Sequence, residues 1–479
     1  MKVGREITAG LTVGLVALPL ALAFGIASGS TAAAGLYTAI VAGLVSGLCG
    51  GSKYQISGPT GAMSVILIGV VAKYGIPGML AAGLMAGLIQ IILGLLRMGK
   101  LVKLIPSPVI TGFTNGIAIV ILLGQLEYIT AAPLLTILVA GTIFLVRRIN
   151  KALPASLFGL AVGIGANLLL GWGAPTVQAI EPSLPKFGLP QIALSDLVLL
   201  LEPALAIALL GTIESLLSAA VADTMTGTVH NSNRELVGQG LGNIAAALFG
   251  GVPSTGAIAR TAVNIQNGGR TRLVSVVQSL FLLTVLLVLG PWTALIPLAA
   301  LSGILVITSY DMFDFQTVLT LRKSSVHDAV ILLATMVLTV CTNLIVAVAG
   351  GIVLAALIQS YHSKTLRILP LNTKAEDNIQ IFSLHGTLQF GTVRSLYKAL
   401  RQVVPGGIVV LDLGGLTMLD QTGAIALSKL QQPSGPVKAS RVILCGVNPE
   451  YKSLIEAAGG FPSDHIGRDL AQSLALAEA

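Results

Sequence analysis

Long apolar runs alternate with short polar interruptions from the amino terminus to about residue 368. At about 20 residues per bilayer crossing, the runs divide into fourteen predicted helical spans. Seven centre near Leu18, Val41, Val65, Ala86, Ile117, Val139 and Val162. After a loop around Trp172 to Asp196, seven more centre near Leu210, Ala245, Val263, Leu283, Leu301, Ala334 and Val353. Seven is odd, so the second half enters the membrane from the opposite side, and the halves form an inverted repeat. The third and tenth spans break at matching places. Residues 56–63 read Ile-Ser-Gly-Pro-Thr-Gly-Ala-Met, and residues 251–258 read Gly-Val-Pro-Ser-Thr-Gly-Ala-Ile. Gly and Pro at that density stop a helix and leave backbone groups that need partners. Paired breaks in corresponding halves point to a transporter's binding site.

Near Asn372 the pattern changes to that of a water-soluble domain. Residues 379–384, 408–412 and 442–445 read as strands, and residues 392–403, 422–430 and 449–458 as helices. The expected architecture is an all-α polytopic membrane protein of 14 transmembrane segments, arranged as a 7+7 inverted repeat with broken helices 3 and 10. A small cytosolic α/β domain follows. The expected boundaries are 1–370 for the transmembrane domain and 371–479 for the soluble one.

Composition agrees with the pattern. Hydrophobic residues make up 54% of the chain and charged residues 10%, so water is not its main solvent. A net charge of +8 would suggest nucleic acid in a soluble protein, but the basic residues sit in short loops, where they orient spans instead. With the amino terminus inside, Lys2, Arg5, Arg97, Arg147, Arg270 and Arg322 fall on the cytoplasmic side, and only Lys73 and Lys186 fall outside. Trp172 and Trp292 land at the outer interface as amphipathic anchors. Cys49, Cys341 and Cys445 are read as packing residues. The basic, then apolar, start of the chain also describes a signal peptide, but its run is long and another span follows at once, so it is read as a retained first helix.

The chemistry is expected at the two breaks. Half-helices beginning near Thr60 and Thr255 would aim free N–H groups and a positive dipole end at the bilayer centre, which favours an anion. The hydroxyls of Thr60 and Thr255 would cap the helices or bind ligand, and Gly61 and Gly256 would let a ligand approach the backbone. The alternative is two merely kinked helices. Arg260, in the tenth span, is costly in lipid and so is a functional candidate; it attracts substrate or snorkels to the inner interface. Glu214 falls near the midplane of span 8, with Ser218 four residues on along the same face. Together they would hold a coupling ion, sodium or a proton, unless Glu214 is only a packing hydrogen bond. The second break, with Arg260 and Glu214, is expected to be the main anion and coupling-ion site, and the first to complete the pocket. No enzyme signature, nucleotide loop or cofactor motif is present, and no metal is expected beyond sodium at Glu214.

Four stretches resemble the sulfate permease (SulP) family of anion transporters: residues 16–25 (Val-Ala-Leu-Pro-Leu-Ala-Leu-Ala-Phe-Gly), Gly35-Leu36-Tyr37-Thr38, the first break, and residues 250–271. The soluble region is similar to that family's STAS domain, with Leu411-Asp412-Leu413 as its central strand and Leu419-Asp420-Gln421-Thr422-Gly423 opening the next helix. The resemblance implies a core of helices 1–4 and 8–11 moving against a gate of helices 5–7 and 12–14. It also implies a pocket lined by Phe24, Thr60, Ala257, Ala259 and Arg260, an acidic position at Glu214, and a homodimer. Thr422 matches a position phosphorylated in related anti-sigma factor antagonists, or simply caps its helix. The form of the first helix is more like bacterial members, including bicarbonate transporters. The expected function is secondary active transport of a small inorganic or organic anion, of the bicarbonate, dicarboxylate or sulfate class. It would be coupled to protons or sodium, by an elevator-like motion in a bacterial inner membrane, with no nucleic-acid partner. The alternatives are a nucleobase transporter of the same fold and a STAS-bearing membrane signalling module.

Overall fold

The computed structural model of the protein describes residues 3–99, 106–150, 153–192, 194–320, 326–342, 344–361, 366–371, 379–400, 403, 406–431 and 440–478. Lys2, Arg322 and the domain junction at Asn372 lie outside these. The chain divides into two compact units, residues 1–104 with 117–313, and residues 105–116 with 314–479.

The first unit begins with α1 (Val3–Ala27), α2 (Ala32–Cys49), strand β1 (Ser57–Gly58) and α3 (Gly61–Leu95). It continues through α4 (Ser107–Gly124) from Ile117 onward, then α5 (Leu126–Ala131), α6 (Pro133–Ile149) and α7 (Ala155–Leu169). The second half supplies α8 (Leu201–Thr226), α9 (Ser232–Leu248), strand β2 (Thr255–Gly256), α10 (Ile258–Gln266), α11 (Leu273–Leu289) and α12 (Leu298–Met312). Predicted spans 3 and 4 follow one another directly within α3, as two helices that meet in a kink at Gly75, whose backbone is not helical (φ 68°), two residues before Pro77. A turn that sharp in a left-handed conformation needs glycine. Among the described residues, six helical stretches are long and apolar enough to cross a membrane unaided. Others are shorter, such as α10 with nine residues, because the break before it consumes part of its span.

Polar residues inside apolar helices hold the breaks in place. Asn243 of α9 accepts from the Ser254 amide at 2.7 Å and donates to Gln90 of α3 at 2.8 Å. Thr38 of α2 donates to the Val252 carbonyl at 2.8 Å. Glu235, in the first turn of α9, accepts from the amides of Gly51 and Ser52 at 2.8 and 2.9 Å, and so satisfies the chain leaving α2. Helices α3 and α9 approach at paired glycines: a Cβ on Gly87 would lie 2.6 Å from the Gly240 carbonyl oxygen. Small residues permit this contact where lipid offers no hydrophobic drive between helices. Trp172 and Trp292 are both exposed.

The second unit contains the start of α4, α13 (Phe315–Thr320), α14 (Val326–Cys341) and α15 (Leu344–Tyr361), followed by the α/β domain. That domain runs β3 (Arg367–Leu371), β4 (Ile379–Leu388), α16 (Phe390–Leu400), β5 (Ile408–Leu419), α17 (Gln421–Ser428), β6 (Arg441–Cys445), α18 (Pro449–Ala457), β7 (Ile466–Gly467) and α19 (Leu470–Glu478). The sheet order is β3-β4-β5-β6-β7, with only β3 antiparallel to its neighbour. Parallel strands need both faces covered. Val409, Leu411 and Leu413 pack with Leu396, Leu427 and Leu454 on one face, whereas Val410, Ile443 and Cys445 pack with Ala477 on the other. Burial pushes the Cys445 thiol up to about 12, so it stays an inert packing group. The three expected strands and three expected helices are present. β5 runs seven residues beyond its expected end at Asp412, and β3, β7 and α19 are additions, since their short or amphipathic runs carry little pattern.

Candidate functional site

The two breaks meet as a two-stranded antiparallel pair, with Ser57 opposite Gly256 and Gly58 opposite Thr255. Backbone groups freed by the breaks find partners within the protein, as they must in lipid. The Ala257 amide donates to the Ile56 carbonyl at 2.8 Å, the Ile56 amide to Thr261 Oγ1 at 3.0 Å, and the Gly256 amide to Ser215 Oγ at 2.9 Å. The first half-helix starts as expected: Thr60 caps α3, accepting from the Met63 amide at 3.4 Å. The second starts later than expected. Its cap is Ala257, which has no side-chain oxygen, because Thr255 and Gly256 are committed to strand pairing.

Freed from capping, the Thr255 hydroxyl donates to Glu214 Oε2 at 2.7 Å, and the Thr60 hydroxyl donates to the same oxygen at 2.9 Å. The two hydroxyl oxygens are 3.2 Å apart. One carboxylate on α8 therefore ties both breaks together, so they share the charge that sequence reasoning assigned to the second. Arg260 does not snorkel. It is 2% exposed, and its Nη2 donates back to the Pro59 carbonyl of the first break, within Coulombic reach of Glu214. Its Nη1 is buried without a hydrogen-bond partner.

The remaining expected residues divide. Phe24 is buried with its ring against Gly61, where a Cβ would stand 3.1 Å from the ring edge. Ala257 is buried at the start of α10, and Ala259 is exposed. Ser218 is not joined to Glu214; it pairs with Thr261 at 3.2 Å, one turn further along α8 and facing α10. Sequence reasoning missed Ser215, Thr261 and Gln55. Both polar atoms of the Gln55 side chain are buried without partners, and a Cβ on Gly256 would collide with its amide nitrogen. A polar side chain one residue before a break was the available signal.

A cavity of about 200 Å³ opens next to this cluster, between α1, α3, the end of α4, and α12. Ala23, Ser64, Ile121 and Gln125 line it, and Ser64 Oγ bonds the Thr60 carbonyl at 3.0 Å, so the cavity begins one turn from Thr60. Chemically, the cluster offers a carboxylate with two hydroxyls for a cation or proton, and a buried guanidinium beside helix amino termini for an anion. Among the described residues, no group of three or more His, Cys, Asp and Glu side chains is placed to hold a metal ion.

The sulfate permease family profile matches residues 4–137 and 128–335, and the STAS domain profile matches residues 370–473. The putative sulfate transporter YvdB of Bacillus subtilis (strain 168) is 36% identical over 458 residues, covering 86% of this chain and 85% of its own length. The bicarbonate transporter BicA of Synechocystis sp. is 33% identical over 461 residues, covering 85% and 82%. The solved transmembrane domain of a cyanobacterial BicA superposes with a TM-score of 0.66 at 35% identity, covering 74% of this chain and 97% of that one. The murine anion transporter Slc26a9 in its inward-facing state shares the fold, with a TM-score of 0.70 at 16% identity over 100% of this chain and 92% of its own. Proteins of this kind are transporters and not enzymes, and this chain is a multi-pass membrane protein that belongs to the sulfate permease family and carries a STAS domain.

Proposed function

We propose that this protein is a secondary transporter of a small oxyanion, coupled to sodium or protons. The observation that carries this reading is the Glu214 carboxylate, held by Thr60 and Thr255 where the two breaks pair, with buried Arg260 reaching across to Pro59. The anion would lie against the amino termini of α3 and α10, drawn by their N–H groups and by Arg260. The coupling ion would take Glu214 with the Thr60 and Thr255 hydroxyls. Phe24, Gly61, Gly256, Ala257 and Ala259 would shape the pocket, with Ser218 supporting α8 from the Thr261 side. Relatives named for sulfate and bicarbonate favour an inorganic oxyanion over a dicarboxylate or a nucleobase.

In this reading the chain crosses a bacterial inner membrane fourteen times as a 7+7 inverted repeat, with residues 1–370 as the transmembrane domain. The amino terminus and the STAS domain, residues 371–479, face the cytoplasm, and the protein works as a homodimer. Helices 1–4 and 8–11 would carry the site past helices 5–7 and 12–14 in an elevator-like motion. The test is uptake of labelled bicarbonate, sulfate and fumarate into proteoliposomes with sodium and proton gradients imposed separately. Uptake of one oxyanion driven by one of the gradients is expected. Absence of uptake for all three anions under every gradient would remove the proposal.

A further inference from the structure

Two carboxylates meet at the amino terminus of α17 in the second unit. Asp420, the N-cap of this helix, accepts from the Gly423 amide at 2.6 Å and, through its other oxygen, from the Phe390 amide at 3.0 Å, which begins α16. Asp328, in the first turn of α14, accepts from the Gln421 amide of the same helix at 2.9 Å. Both are almost wholly buried, 5% exposed for Asp328 and 6% for Asp420. They line one small cavity of about 30 Å³, into which Thr422 also faces. The Thr422 hydroxyl is buried without a partner, so the capping task that sequence reasoning offered it belongs to Asp420.

We propose that Asp328 and Asp420 form a shared proton-binding site that couples pH on the STAS side of the membrane to the docking of α17 on α14. Each carboxylate has a reason to be there, since a helix amino terminus attracts negative charge. Two at one terminus, out of water, repel unless one carries a proton. Burial, and next the charge of Asp328, push the Asp420 carboxyl up to about 7. That direction fixes the sign. A group whose value is raised in the docked state favours docking when protonated, so the contact is tightest at and below the ordinary carboxylate value of 3.8, loosens as pH rises from there to about 7, and changes no further above it. Among the described residues of the other elements lining the cavity, Pro106 and Pro108 at the start of α4, Ile358 of α15 and Phe390 of α16 bring no charge. Among the described residues, His327 is the only other titratable group lining the cavity. The inference goes beyond transport and stands whichever anion is carried.

Hydrogen–deuterium exchange of the full-length protein tests it. After correction for intrinsic exchange, protection of amides 421–428 is expected to fall by up to tenfold per pH unit as pH rises toward about 7 and to level off above it, one proton's worth of linkage. Asp328→Asn should flatten that slope, and His327→Gln should keep it. A flat profile in the unmodified protein would overturn the proposal with no variant needed. So would an unchanged slope in Asp328→Asn, or a slope lost in His327→Gln but kept in Asp328→Asn.

Discussion

At the scale of single residues, the site is a competition for one carboxylate oxygen. Thr60 both caps α3 and donates to Glu214, whereas Thr255 only donates, because strand pairing removes it from the start of α10. Thr255→Val should therefore remove about 1–3 kcal/mol of a charge-assisted hydrogen bond without disturbing a helix cap. The expected outcome is a roughly 5- to 100-fold weaker coupling-ion dependence of uptake, read from cation titrations in proteoliposomes. Glu214→Gln keeps the shape of the site and removes its charge. It should abolish cation-driven uptake while the purified protein keeps its elution profile, and undiminished cation dependence would exclude Glu214 from coupling. Sequence reading found Glu214 from its depth along a helix but grouped it with Ser218, because spacing of four places both on one face. It could not see that Thr261 of α10 takes the Ser218 hydroxyl.

At the scale of elements, the first unit depends on helices that touch through their backbones. The crossing of α3 and α9 is set by Gly87 and Gly240, each lying over the other's carbonyl. A valine at Gly240 has to push the helices apart, and overpacking of this kind costs about 1–3 kcal/mol. The expected result is a lowered unfolding midpoint of the detergent-purified protein. An unchanged midpoint would show that this crossing contributes little. Both breaks were legible from Gly and Pro, and the start of α3 was placed correctly. The start of α10 was not, because Thr255-Gly256 and Thr60-Gly61 look alike in sequence and differ only in what pairs with them. β3 and β7 were missed for a related reason: short strands owe their existence to neighbours supplied from elsewhere in the chain.

At the scale of the molecule, the residues from Phe24 to Arg260 that build the candidate site fall in one compact unit, and the STAS domain falls in the other together with α14 and α15. Deleting residues 372–479 should leave bicarbonate or sulfate binding by the purified protein intact, as measured by its thermal shift with each anion. Loss of binding in a truncated protein that still elutes as a folded species would place part of the site in the STAS domain. By itself the sequence determined the solvent, the location of the helices, the two breaks and the α/β tail, because hydropathy, period and backbone-breaking residues act locally along a chain. Only tertiary structure decided that the breaks pair in antiparallel register and that both hydroxyls converge on Glu214. It also turned Arg260 inward to the first break and brought Asp328 to a helix that begins more than ninety residues later. Each of these is a contact between distant segments, and its geometry depends on how two backbones approach, which no local pattern encodes.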